Sequence, residues 1–154
     1  MKASISARKA TGLDDLKQTI AKYLPEGEPV FPADHFTDQP MRFLAGEIIR
    51  EKILHAAQNE VPHAVAVLVE KWEESRTLTR IAATIHVERP GQKTILIGKG
   101  GDMLKRIGSE ARHDIEAMTG TKIFLSLFVN VKRNWREDPA FLTAMDWRAM
   151  VGSE

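Results

Sequence analysis

The segment that most limits how this 154-residue chain can fold is a glycine-rich break, Gly98-Lys99-Gly100-Gly101, set between two apolar stretches. Upstream, Thr94-Ile95-Leu96-Ile97 makes a short apolar turn. Downstream, Leu104, Ile107, Ala111, Ile115 and Met118 recur at helical spacing, which predicts a helix over 102–118. Glycines accept backbone conformations that side chains oppose, so the two helical pieces can be joined tightly rather than run on as one helix.

Strands lie on both sides of this unit. Residues 64–72 alternate, with Val65, Val67 and Val69 on one face, and polar residues 73–79 connect them to a second strand carrying Ile81, Ala83, Ile85 and Val87. In a third strand, 123–131, Ile123, Leu125, Leu127, Val129 and Val131 share a face. Before the first strand, MRFLAGEIIREKILHAAQ follows Pro40 and sets Ala45, Ile48, Ile49 and Ile53 in one stripe, and Pro62 ends the element. Nearer the N-terminus Leu13, Leu16, Ile20 and Leu24 predict a helix over 13–24, entered at Gly12 and Asp14 and stopped by Pro25-Glu26-Gly27. The intervening EGEPVFPADHFTDQP has three prolines and no periodicity, and reads as a linker. The order helix, strand, strand, short helix, glycine loop, helix, strand predicts an α+β fold, one sheet covered by its helices.

Charge is unevenly distributed. The chain's net charge is only +1, yet ten basic and four acidic residues lie between Arg89 and Arg136. Such a basic segment is the footprint of a polyanion-binding face, although a merely solvated charged surface has the same composition. With no cysteine there are no disulfides or thiolate metal sites, which fits a reducing cytosol and a cytoplasmic location. No stretch at the N-terminus has signal-peptide character, and no apolar run reaches membrane-spanning length, so neither export nor a membrane span is expected. His35, His55, His63, His86 and His113 lack metal-ligand spacing, so no metal site is expected, and no cofactor. Ser6 has no histidine at a motif spacing, and nucleophilic catalysis is not expected. Arg50-Glu51-Lys52 reads as structural charge on the helix that covers the sheet. Trp135 offers a ring for base stacking or an anchor after the last strand, and the anchoring role is expected.

A G-x-x-G loop between helices presents backbone N–H groups and a helix N-terminus to a phosphodiester, and Lys99 adds a cation. Ile97 and Leu104 would floor a groove for unstacked bases, the way KH domains clamp about four single-stranded nucleotides. The loop alone is a weak signal. The whole string is more specific. F-P-A-D-H-F-T-D-Q-P-M-R-F-L-A-G-E-I-I-R-E-K, E-V-P-H-A-V-A-V, I-L-I-G-K-G-G-D-M-L-K-R-I-G-S-E-A-R-H-D-I-E and V-N-V-K-R-N-W-R stand in order and resemble the C-terminal half of bacterial Era-type GTPases, from about Ser4 to Arg136.

That resemblance implies a type II KH domain over 41–136 that binds the 3′ end of small-subunit ribosomal RNA during assembly of the small subunit. The RNA-binding residues it implies are Ile97, Gly98, Lys99, Gly100, Gly101, Leu104, Lys105 and Arg112. It makes residues 1–28 the end of a GTPase domain, 29–40 a linker, and leaves 137–154 as a partly ordered tail outside the family pattern. Ser6 and Ala7 would match the family's contact to the guanine base. The sequence has no G-x-x-x-x-G-K-[ST] phosphate loop, D-x-x-G or N-K-x-D, and no Ser or Thr follows Lys99 to hold magnesium. An RNA-binding module that hydrolyses no nucleotide is therefore the expectation. The alternative is one component of a split GTPase whose nucleotide-binding part is another chain. Weak peripheral membrane association, sometimes attributed to the family, would need an exposed apolar stripe beside the basic residues, and the 102–118 helix is expected to bury its stripe.

Overall fold

A computed structural model describes residues 4–28, 37, 39–57 and 65–150, the last two for their backbone only. Most of the expected linker, and Pro62 as a helix stop, lie outside the described residues. The chain forms two compact units, residues 1–37 and 38–154.

In the first unit, Ser6 and Thr11 exchange backbone hydrogen bonds of 3.1 and 3.2 Å across a tight turn. Helix α1 (Leu13–Ala21) follows. It is three residues shorter than its apolar pattern suggests and buries none of its residues. Ile20, Tyr23 and Leu24 are all exposed.

The second unit holds α2 (Met41–Ala56), β1 (Val65–Glu74), β2 (Leu78–Val87), α3 (Pro90–Ile97), α4 (Asp102–Thr119) and β3 (Lys122–Val131). This is the expected α+β order. The strands lie in the order β1-β2-β3, with β1 antiparallel and β3 parallel to β2. The first two strands extend further than their alternation indicates, leaving only 75–77 as the hairpin connection instead of 73–79. β1 also carries a bulge between Val69 and Lys71. The extra residue shifts the side-chain parity, so Trp72, opposite Ile81, faces the core that Val65, Val67 and Val69 also face.

One sheet face carries α2 and α4. Ala45, Ile49 and Ile53 of α2 and Ile107, Ala111 and Ile115 of α4 are buried against Ile81, Ile85 and Val87 of the central strand. Each such isoleucine contributes roughly 1.5–3 kcal/mol by burial. The Lys52 ammonium pairs with Asp114, tying α2 to α4, while Arg50 pairs with Glu47 at 2.9 Å; the Arg50-Glu51-Lys52 run is structural, as expected.

Within the stretch expected as a partly ordered tail, Phe141 packs on the opposite sheet face, against His86. A 3-10 turn, Trp135–Glu137, leads into α5 (Pro139–Met145), which is capped by the Asp138 carboxylate accepting from the Phe141 N–H, and then into α6 (Trp147–Met150). Phe141 sits edge-on to His86 at 4.7 Å and to Trp135 at 5.9 Å. Trp135 is 8% exposed, so its anchoring role is the one observed. Sequence periodicity missed this arrangement because α5 is only seven residues long, too short to show a helical repeat.

Candidate nucleic-acid interface

Helix α3 starts where Gln92 accepts backbone hydrogen bonds from Glu88 and Arg89, at 3.0 and 2.9 Å, with Pro90 in the first turn. Its last residue is Ile97, half-buried, and Gly98 ends it with φ +73° and ψ 178°, a conformation that only glycine adopts comfortably. A Cβ on Gly98 would lie 2.7 Å from the Met103 Cβ and 2.9 Å from the Met103 nitrogen. The absence of a side chain at Gly98 thus has an internal reason, the packing of α4 against the loop. Gly100 is different. It too has positive φ, +63°, but its Cβ direction is open space. Lys99 and Gly100 form the exposed tip, and Gly101 is the N-cap of α4.

From that tip a groove of about 500 Å³ runs between α4 and β3. Gly101, Leu104, Lys105, Gly108, Ser109 and Arg112 form its helical wall, and Ile123, Phe124, Leu125 and Leu127 its strand wall. Of the expected RNA-binding residues, Gly101, Leu104, Lys105 and Arg112 line the groove, and Lys99 and Gly100 stand at its mouth. Ile97 and Gly98 support the loop from behind. Ser6 and Ala7 belong to the first unit, where Ser6 Oγ accepts from the Lys9 N–H at 3.3 Å. Gly108, Ser109 and the strand wall were not singled out from sequence. The spacing of Lys105, Gly108, Ser109 and Arg112, at i, i+3, i+4 and i+7, is the signal that could have found the helical part.

The groove's electrostatics suit an anion. Lys99, Lys105 and Arg112 are exposed, and the ion pairs among the described residues leave all three without a carboxylate partner. The nearest carboxylate at the far end, Glu116, is turned inward. It accepts the Ile123 N–H at 3.1 Å and lies 3.7 Å from the Lys122 ammonium. That backbone hydrogen bond, helped by Lys122 and Arg112, holds its pKa below the ordinary carboxylate value, so it is charged but engaged. The N-terminus of the 18-residue α4 adds partial positive charge at the loop. Apolar floor, a glycine tip and unpaired cations can hold bases and phosphates at once. No group of three or more acidic or histidine side chains suited to a metal occurs among the described residues. No helix among them is long and apolar enough to cross a membrane.

The model of the KH domain family matches residues 60–136. Proteins named GTPase Era are similar to the chain along most of its length: that of Heliobacterium modesticaldum is 51% identical over 139 residues, and that of Syntrophus aciditrophicus 52% over 140. In each case 90% of this chain is covered but 46% of the relative, so the chain spans about half the length of the curated relatives it matches. Two solved structures agree in shape. Aquifex aeolicus Era bound to GDP and aluminium fluoride superposes with a TM-score of 0.85, at 42% identity, covering 93% of this chain and 48% of that one. Era in complex with a magnesium-bound GTP analogue, MgGDPNP, and nucleotides 1506–1542 of 16S ribosomal RNA gives 0.86 at the same identity and coverage.

Proposed function

This chain belongs to the KH domain family, and on that premise we propose that it is a single-stranded RNA-binding module, the C-terminal part of an Era-type GTPase. Its ligand is the 3′ end of small-subunit ribosomal RNA, engaged in the cytoplasm during assembly of the small subunit. The observation that carries this is the groove itself, walled by α4 and β3 and opening at the Gly98–Gly101 loop, with Lys99, Lys105 and Arg112 unpaired along it. The similar Era structure that contains 16S ribosomal RNA supports the choice of RNA.

In mechanism, Lys99 and the backbone N–H groups at the loop hold phosphates, while Leu104, Leu125 and Leu127 take the unstacked bases. A duplex keeps its bases stacked inside and gives the apolar floor nothing to cover, so a single strand is preferred. Nucleotide hydrolysis falls outside this module, because the phosphate-loop motif is absent from its 154 residues.

The test is fluorescence anisotropy of the full chain with a 3′-terminal small-subunit ribosomal RNA oligonucleotide, its duplex form, and a salt series. If three or four phosphates are neutralised, the log–log salt slope should be about −2 to −3 for a single strand. A slope near zero, or tighter binding to the duplex, would remove the groove as the binding site.

A further inference from the structure

Phe124 is 53% exposed on the edge strand β3, an unusual place for a large apolar ring. It borders the groove, yet its side chain stands on the sheet face opposite Ile123 and Leu125, because strand residues alternate. It therefore sits on the rim, at the end far from the glycine loop. Arg112, its neighbour across that end, is eleven residues along α4 from Gly101, about 17 Å at helical rise.

A cation accompanies the ring. Arg80 is paired in register with Phe124 across β2 and β3, and its guanidinium carbon lies 5.4 Å from the ring centroid. Glu73 stands opposite Arg80 on β1, but its carboxylate is engaged by Lys71 at 2.8 Å. Among the described residues Arg80 has no ion pair, so its donors are available. A guanidinium on an aromatic face is the pairing that single-stranded nucleic acid uses: the ring stacks a base, and the arginine contacts the base face or the next phosphate. A protein partner would call for a broader apolar surface. Phe124 has small or polar neighbours on that face, Arg80, Ala82 and Ser126.

From this arrangement we propose that Phe124, with Arg80 on its ring, is a base-stacking step that takes one nucleotide beyond those held in the groove. The inference rests on the groove being the RNA site. Phe128 supplies an internal control: it is on the same strand and face, 58% exposed, about 13 Å further along at strand rise, outside the groove, and no cation lies over it among the described residues.

The experiment compares a four-nucleotide single strand with an eight-nucleotide strand that extends the same core at both ends, using the full chain. Phe124→Leu should weaken the eight-nucleotide complex about tenfold, within the range for loss of one base–aromatic stack, and the four-nucleotide complex less than twofold. Phe124→Trp should restore the parent affinity, and Phe128→Leu should not change it. Thermal melts of all three variants should match the parent, since both rings are exposed. If Phe124→Leu binds the long strand within twofold of the parent, or if Phe128→Leu loses as much, the stacking step is wrong while the groove reading survives. If the parent binds neither strand, the groove reading fails and takes the stacking step with it.

Discussion

Replacing Lys99 and Gly100 together with Asp should abolish RNA binding while the fold persists, and the geometry of the loop gives both magnitudes. Gly100 has φ +63° and ψ 13°, the left-handed region, and nothing lies within 4 Å of its Cβ direction. Aspartate is among the residues that visit this region, at a cost of roughly 1–2 kcal/mol, and no clash is added. For a unit of this size that lowers the melting temperature by roughly 3–12 °C, while the fold persists. Binding suffers far more. One charge-assisted contact worth about 1.5–3 kcal/mol disappears. Two carboxylates then face a phosphate, each repelling it by about 1 kcal/mol at 4 Å in water. The sum corresponds to at least about a hundredfold. Anisotropy with the 3′-terminal ribosomal RNA strand measures the loss, and a circular dichroism melt checks the fold. Gly98→Ala is the opposite case. Its Cβ would meet the Met103 backbone at 2.9 Å in a glycine-only conformation, so this milder change should cost more stability, roughly 2–3 kcal/mol. A folded double mutant that binds as tightly as the parent would refute the clamp at the loop.

Gly108→Ala should raise stability by up to about 1 kcal/mol through helix propensity while weakening RNA binding, because the added methyl points across the groove to Leu127 Cδ1 at 3.4 Å; unchanged affinity would show that bases do not reach this depth. His86 is 7% exposed, both ring nitrogens lack partners, and burial, with Lys132 adding to it and Glu70 opposing, holds its pKa below the ordinary value. The unfolded chain therefore takes up the proton first, so stability is full above about pH 6.5 and falls as pH drops through that value. Thermal melts from pH 7.5 to 5 should show this, and His86→Leu should flatten the dependence. Hydrogen exchange across residues 13–21 should be fast compared with α2, α4 and the sheet, because α1 buries nothing; strong protection in a monomer would contradict this. Calorimetry of the chain with GTP or GDP should show no binding, because the phosphate-side motifs are absent from the sequence, and a micromolar dissociation constant would overturn this expectation.

What could be read in advance follows from what each residue's role depends on. The glycine tip and Leu104 were legible from the G-x-x-G pattern and its apolar flanks, and Lys105 and Arg112 only through the family resemblance. The strand wall was not. Alternation separates Ile123, Leu125 and Leu127 from Phe124 and Phe128, but only the register with β2 and the docking of α4 decide that this strand forms the groove's second side. Trp72, at the end of the expected strand 64–72, falls off the Val65–Val69 face in a period-two count, and a bulge returns it to the core. His86 read as one of several scattered histidines. Its burial depends on Phe141, more than fifty positions later, which has no periodic context of its own.

The parallel pairing of β2 with β3 also sets an order of events. The β1–β2 hairpin closes locally, Glu74 against Thr79, whereas Leu78 must wait for Lys122 and Val87 for Val131. Contacts between distant positions are made late, since the chain loses loop entropy before they form. Helix α4 and the glycine tip can therefore exist on a nascent chain that has no groove, and the second wall arrives only when the edge strand docks. The groove therefore exists only where the edge strand has paired with β2, because β3 supplies its second wall.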